Sequence, residues 1–132
     1  MPSGVTLESL IVDGSQAIKT LSGLRLALGA ASWAAPRGTG RLFGLDPDAN
    51  PAAPYLARLF GARDVALGWG TLGGSSQTRG QWLMAGVACD LADAAAGIAA
   101  GRGGYLPRHS SVMVSATALC AAALGARALL DA

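Results

Sequence analysis

Charge is scarce in this chain. Asp, Glu, Lys and Arg make up 14% of its 132 residues, against about 25% in an ordinary soluble domain. That is too little to cover a water-facing surface. Aromatic residues are thin at 5%, so the apolar 52% is mostly Ala, Leu and Val. Basic residues outnumber acidic ones by two and stand singly, which excludes a nucleic-acid interface built on clustered Lys and Arg. The two cysteines, Cys89 and Cys120, lie inside apolar runs, where a thiol is a small packing residue; no disulfide, metal site or redox motif is expected. The lone histidine, His109, is expected on the surface at the start of an apolar segment. No lysine-bearing glycine loop opens a helix, so a phosphate-binding loop is excluded and no cofactor is implied. The opening stretch "MPSGVTLESLIVDGSQAIK" holds Glu8 and Asp13 where a signal peptide would be basic, so no cleaved targeting segment is expected.

What the chain has instead is four apolar segments and 19 glycines. A chain of this length forms one domain. The segments cover about 16–35, 55–72, 81–100 and 109–130, separated by breaker-rich stretches. The longest separator, "PRGTGRLFGLDPDANPAAP", reads as a Pro/Gly-rich interfacial loop with Leu42 and Phe43 dipping into lipid headgroups. "GGSSQTRG" reads as a turn, and "GRGG" ends the third segment. Each segment is about twenty residues, the length that crosses a hydrocarbon layer of roughly 30 Å. The expectation is an all-α, four-helix transmembrane bundle, multi-pass in the cell membrane. A soluble bundle is the rival. Its helices would each carry a broad polar stripe, whereas these carry one or two charges near the centre. Tyr55, Trp33, Trp82 and Tyr105 fall at segment ends, as an interfacial aromatic belt requires. Arg37, Arg41, Arg102 and Arg108 in the first and third connections, against Lys19, Arg79 and Arg127 opposite, lean toward both termini outside.

Spacing assigns the central charges a direction. Ala57, Gly61, Asp64, Gly68 and Thr71 follow a 4-3-4-3 pattern, one line down a helix face. Gly86, Asp90, Asp93 and Gly97 repeat it in the third segment, and Ser22, Arg25, Gly29 and Ser32 in the first. Ser111, Ser115, Ala118, Ala122 and Gly125 give the same seam in the fourth, without a charge. Small residues mark the helix-facing side in a membrane, so Arg25, Asp64, Asp90 and Asp93 are expected to face one another across the interior. Arg63 sits about 100° from Asp64 around the helix and can lean to the first or third helix. Arg58, nearer a helix end, can snorkel to the headgroups. Trp69 lies deeper in the second segment, as packing or as the edge of a ligand platform. Arg is the partner that keeps a carboxylate ionised in lipid. Three acids against two bases leave one aspartate, Asp90 or Asp93, short of a partner. A purely structural network that fixes helix register accounts for the same residues.

At "GLRLALGAASWAAP", "ARLFGARDVALGWGTL" and "CDLADAAAG" the chain resembles a family of uncharacterised small four-helix integral membrane proteins from high-GC bacteria. The resemblance implies a four-helix membrane fold with Arg25, Arg63, Asp64, Asp90 and Asp93 as signature positions. It brings no activity.

Two functions of different class fit these residues. The first is an accessory membrane protein without chemistry. It packs with a second copy or a partner subunit, or binds an apolar small molecule among lipids. The second is a membrane-embedded acid/base enzyme (isomerase, epoxide-opening or cyclase type) that uses Asp64, Asp90 and Asp93 on a hydrophobic substrate. Proton-coupled transport through the same acids ranks last, because four short helices make a thin pathway.

Overall fold

The computed structural model describes residues 13–132; Glu8, invoked in the targeting expectation, lies outside them. The described residues form five helices and no strand: α1 (Gly14–Ala34), α2 (Pro36–Leu42), α3 (Ala53–Gly73), α4 (Ser76–Arg102) and α5 (Arg108–Leu130). Helix α1 opens where the Asp13 carboxylate accepts the Gln16 N–H at 2.7 Å, an N-cap in the usual geometry. It stops before Pro36, whose ring disfavours a helical residue ahead of it.

Two stretches differ from expectation. The stretch after Pro36 is not an open loop. Proline suits a first helical turn, and α2 runs on to Leu42. It closes with the Leu45 N–H on the Gly40 carbonyl and the Gly44 N–H on the Arg41 carbonyl. That double bond pattern puts its C′ residue in the left-handed region, and Gly44 takes it at φ +74°. Beyond it, Asp48 pairs with Arg37 and Arg41. Leu42 is exposed and Phe43 half-buried.

The "GGSSQTRG" cluster is mostly helix. Only Gly74 and Ser75 link α3 to α4, because Ser75 accepts the Thr78 N–H and starts α4 five residues earlier than the apolar pattern does. Arg79 then donates to the Thr71 and Gly74 carbonyls and caps α3. As a result Trp82 lies inside α4 rather than at its end. Helix α4 closes like α2, with Gly104 at φ +74° and Tyr105 and Gly104 donating to the Ala100 and Gly101 carbonyls.

The four long helices pack in a ring, α1 beside α3, α3 beside α4, α4 beside α5, and α5 beside α1. Neighbours run antiparallel, as in an up-and-down bundle. Two seams are close. In the α1/α3 seam a Cβ on Gly29 would come within 2.7 Å of the Gly61 carbonyl oxygen, and one on Gly61 within 2.6 Å of the Gly29 carbonyl oxygen. In the α4/α5 seam Ser111 donates to the Gly97 carbonyl at 2.8 Å and Ser115 to the Ala94 carbonyl at 3.2 Å. Gly70 admits the Trp82 indole between α3 and α4. The first turn of α1 meets the end of α5 at the other side of the ring. Asp131, just beyond α5, accepts the Gly14 N–H at 2.8 Å and pairs with Arg127 at 2.9 Å. The Arg127 hydrogen bond, then that of Gly14, holds the Asp131 carboxyl below its ordinary range.

Polarity is distributed inside out. The largest fully buried side chains are Leu83, Ser22, Ser32 and Ser110, and Arg25, Asp64 and Asp90 are buried with them. Trp69, Met84, Val112 and Leu59 face outward. Two helices, Ser76–Arg102 and Arg108–Leu130, are long and apolar enough to cross a membrane. Helices α1 and α3 have the length but carry more polarity, Lys19 and Arg25 with three serines in one, Arg58, Arg63 and Asp64 in the other.

Candidate functional site

Three helices each deliver one charge to the same interior point. Arg25 comes from α1, Asp64 from α3 and Asp90 from α4. Each sits on the small-residue stripe of its helix, at 5%, 4% and 3% exposure respectively. The Arg25 guanidinium is shared: Nη1 donates to Asp64 Oδ1 at 3.2 Å and Nη2 to Asp90 Oδ2 at 2.5 Å. Gly86, one turn before Asp90, makes room for it, since a Cβ there would stand 3.0 Å from Arg25 Nη2.

A second pair lies at the edge of the first. Arg63 leans toward α4 and grips Asp93 with both terminal nitrogens, one bond at 3.0 Å and the other, from Nη2 to Oδ2, alongside it. Such a fork-to-carboxylate pair is stronger and more directional than a single contact. Its Nη2 also stands 3.9 Å from Asp64 Oδ1, which joins the two pairs into one network. The Arg63 guanidinium lies over the Phe60 ring at 4.9 Å. Unlike the inner triad, this pair is partly open, with side-chain exposures of 31% and 28%.

No protein-family model, curated protein or solved structure matches the chain. What bears on function is therefore the geometry of this network and its setting.

The structure brings together Arg25, Arg63, Asp64, Asp90 and Asp93. It leaves out two other candidates. Trp69 is 71% exposed on the outer face of α3, since five residues place it about 140° around the helix from Asp64. Arg58 is exposed too, donating from Nε to the Trp33 carbonyl at 3.3 Å, its guanidinium 5.6 Å from the Trp33 ring centre. The expectation of one aspartate lacking a partner is also corrected. Arginine presents five N–H donors in a fork, so Arg25 serves two carboxylates and all three aspartates are engaged.

The network still holds three carboxylates against two guanidiniums. Helix α5 brings no charge to it: Ser111 and Ser115 donate to carbonyls of α4, and Ser110 to the Gly44 carbonyl. Among the described residues no group of His, Cys, Asp and Glu has the geometry to hold a metal ion. Cys89 and Cys120 are free thiols. His109 is exposed at the first turn of α5. Ser22 and Ser32 are fully buried, and their hydroxyls have no partner among the described residues. Their use is size: Ser32 Cβ lies where a side chain on Gly61 would collide. Spacing already placed Gly86 on the inward stripe of the third segment; what it did not show is that the missing side chain leaves room for the Arg25 guanidinium from another helix.

Proposed function

We propose that this chain is a multi-pass protein of the cell membrane, a four-helix transmembrane bundle with the Arg/Asp network inside the bilayer. Its work is association rather than chemistry. The network fixes the register of α1, α3 and α4, and the outer faces meet a partner membrane subunit, a second copy or an apolar small molecule. The observation that carries this is the inverted polarity: Arg25, Asp64 and Asp90 lie inside while Trp69, Met84 and Val112 lie outside. In water that arrangement leaves large apolar side chains exposed on every long helix; in lipid it is the stable one, because ionisable side chains turn to the interior and pair. The resemblance to small four-helix membrane proteins points the same way.

The acid/base enzyme remains the second reading, and one observation favours it. The Arg63–Asp93 pair is the part of the network that a molecule at the α3/α4 face could reach. Asp93 would then be the proton carrier and Arg63 the group that stabilises its charge.

The test is a membrane preparation from cells that express the full chain. Alkaline carbonate, which strips peripheral proteins, is expected to leave the chain in the pellet. Mild detergent is expected to release it as a complex heavier than the 13.1 kDa polypeptide, with the added mass resolved by native mass spectrometry. A chain that dissolves in carbonate, or leaves detergent bare and monomeric, overturns the reading.

A further inference from the structure

A groove of about 640 Å³ runs along the outside of the α4/α5 hairpin. Its floor and walls are apolar, with Ile98 on one side and Val112, Ala116 and Leu119 on the other; at its mouth stand Arg102 and Arg108. Those two arginines close α4 and open α5, so the mouth is at one end of the hairpin and the groove points toward its middle. From Arg108 to Leu119 the helix advances about 16 Å at 1.5 Å per residue, close to half of a hydrocarbon layer of roughly 30 Å. The groove is thus one leaflet deep, on the two helices most suited to crossing a membrane.

The charge at the mouth is unspent. Arg37 and Arg41, at the same end of the molecule, share Asp48, and Arg58 lies on Trp33. Arg102 and Arg108 pair with no carboxylate among the described residues. Helix α5 also opens without a side-chain cap, which leaves first-turn N–H groups pointing to the same region, favourable for an anion. Ser111, inside the groove, has its hydroxyl committed to the Gly97 carbonyl and does not compete for the arginines.

We propose that this groove binds one anionic phospholipid, with the phosphate between Arg102 and Arg108 and an acyl chain against Ile98, Val112 and Leu119. The proposal rests on the membrane reading. It goes beyond it by assigning a lipid class and a site away from the Arg/Asp network. An anionic headgroup satisfies both guanidiniums at the interface, and the attached chain covers the apolar wall below them. A zwitterionic lipid brings its own cation to the mouth and loses that advantage.

The experiment uses the full chain in nanodiscs and phosphatidylglycerol or phosphatidylcholine of matched acyl chains, with retained lipid counted by native mass spectrometry after release into detergent. The wild type is expected to retain phosphatidylglycerol over phosphatidylcholine by on the order of tenfold, from two arginines acting near a membrane surface. Arg102→Gln with Arg108→Gln is expected to abolish the preference. Ile98→Trp, which fills the groove and leaves the charges alone, is expected to lower retention of both lipids. Arg37→Gln with Arg41→Gln, at the same end, should change nothing. Equal retention of the two lipids by the wild type would overturn the site while leaving membrane insertion intact. So would an equal loss in the Arg37/Arg41 variant, which would trace the preference to diffuse charge. Failure to enter nanodiscs at all would instead be the failure of the membrane reading.

Discussion

Arg25→Met is expected to yield almost no folded protein. The substitution keeps an unbranched apolar stem and removes the one guanidinium that touches both Asp64 and Asp90. Two carboxylates at 4% and 3% exposure then face each other without a cation between them. Removing one member of a buried ion pair costs about 3–5 kcal/mol, because the remaining charge stays desolvated. Here Asp90 loses the guanidinium that binds it and Asp64 is left with only the more distant Arg63, 3.9 Å away, against a total stability of roughly 5–15 kcal/mol for a domain. The measurement is the yield of monodisperse protein in detergent and its thermal unfolding. A rescue separates electrostatics from packing. Arg25→Met combined with Asp64→Leu and Asp90→Leu is expected to recover folded protein, since an apolar replacement of a whole buried triad is often neutral or stabilising. Asp93→Asn should be far milder, because that pair is partly open to its surroundings. If Arg25→Met alone unfolds at the wild-type temperature, the triad does not hold the helices together.

Gly29→Leu is expected to be the most damaging change that touches no charge. A Cβ at Gly29 meets the backbone oxygen of Gly61 at 2.7 Å and the Val65 side chain at 2.8 Å. A side chain could rotate away; a carbonyl of a hydrogen-bonded helix cannot. Helices α1 and α3 must therefore separate, and the separation is felt one turn away, where Arg25 reaches Asp64 at 3.2 Å. Overpacking a well-filled site typically costs about 1–3 kcal/mol, and the loosened ion pair adds to it. The expected result is a large drop in unfolding temperature and loss of a disulfide engineered between the two helices nearby. Gly38→Ala is the control. Nothing lies within 4 Å of a Cβ there, so its unfolding temperature should stay at the wild-type value or rise slightly, alanine being the better helix former.

The inward stripes were legible because spacing alone fixes a helix face. Gly61, Asp64, Gly68 and Thr71 of α3 are all buried, as are Ser22, Arg25, Gly29 and Ser32 of α1. Spacing does not say which helix stands opposite. That Arg63 turns to α4 rather than α1 follows from the side of α3 on which α4 packs, which only the folded arrangement decides. The spare aspartate was a miscount of a different kind. Matching charges one to one overlooks that a guanidinium can bond on two edges, as Arg25 does. Helix α4 began earlier than the apolar pattern because Ser75, read as a turn former, is also an N-cap residue and accepts the Thr78 N–H. Trp69 looked central by its place along α3, yet its angle around the helix sends it outward. The groove on α4/α5 left no trace in the sequence, since Ile98 and Val112 meet only once the hairpin is folded.

Trp69 also offers the most direct measurement of whether the polar groups lie inside and the apolar faces lie against lipid. Trp33→Phe with Trp82→Phe leaves it the sole tryptophan of the three, 71% exposed and about 9 Å along the axis from the middle of α3. In reconstituted vesicles its fluorescence should be quenched strongly by lipids brominated on the acyl chain and hardly at all by iodide in the water. Strong iodide quenching with no effect of the brominated lipids would contradict the account, because that face of the protein would then be in water.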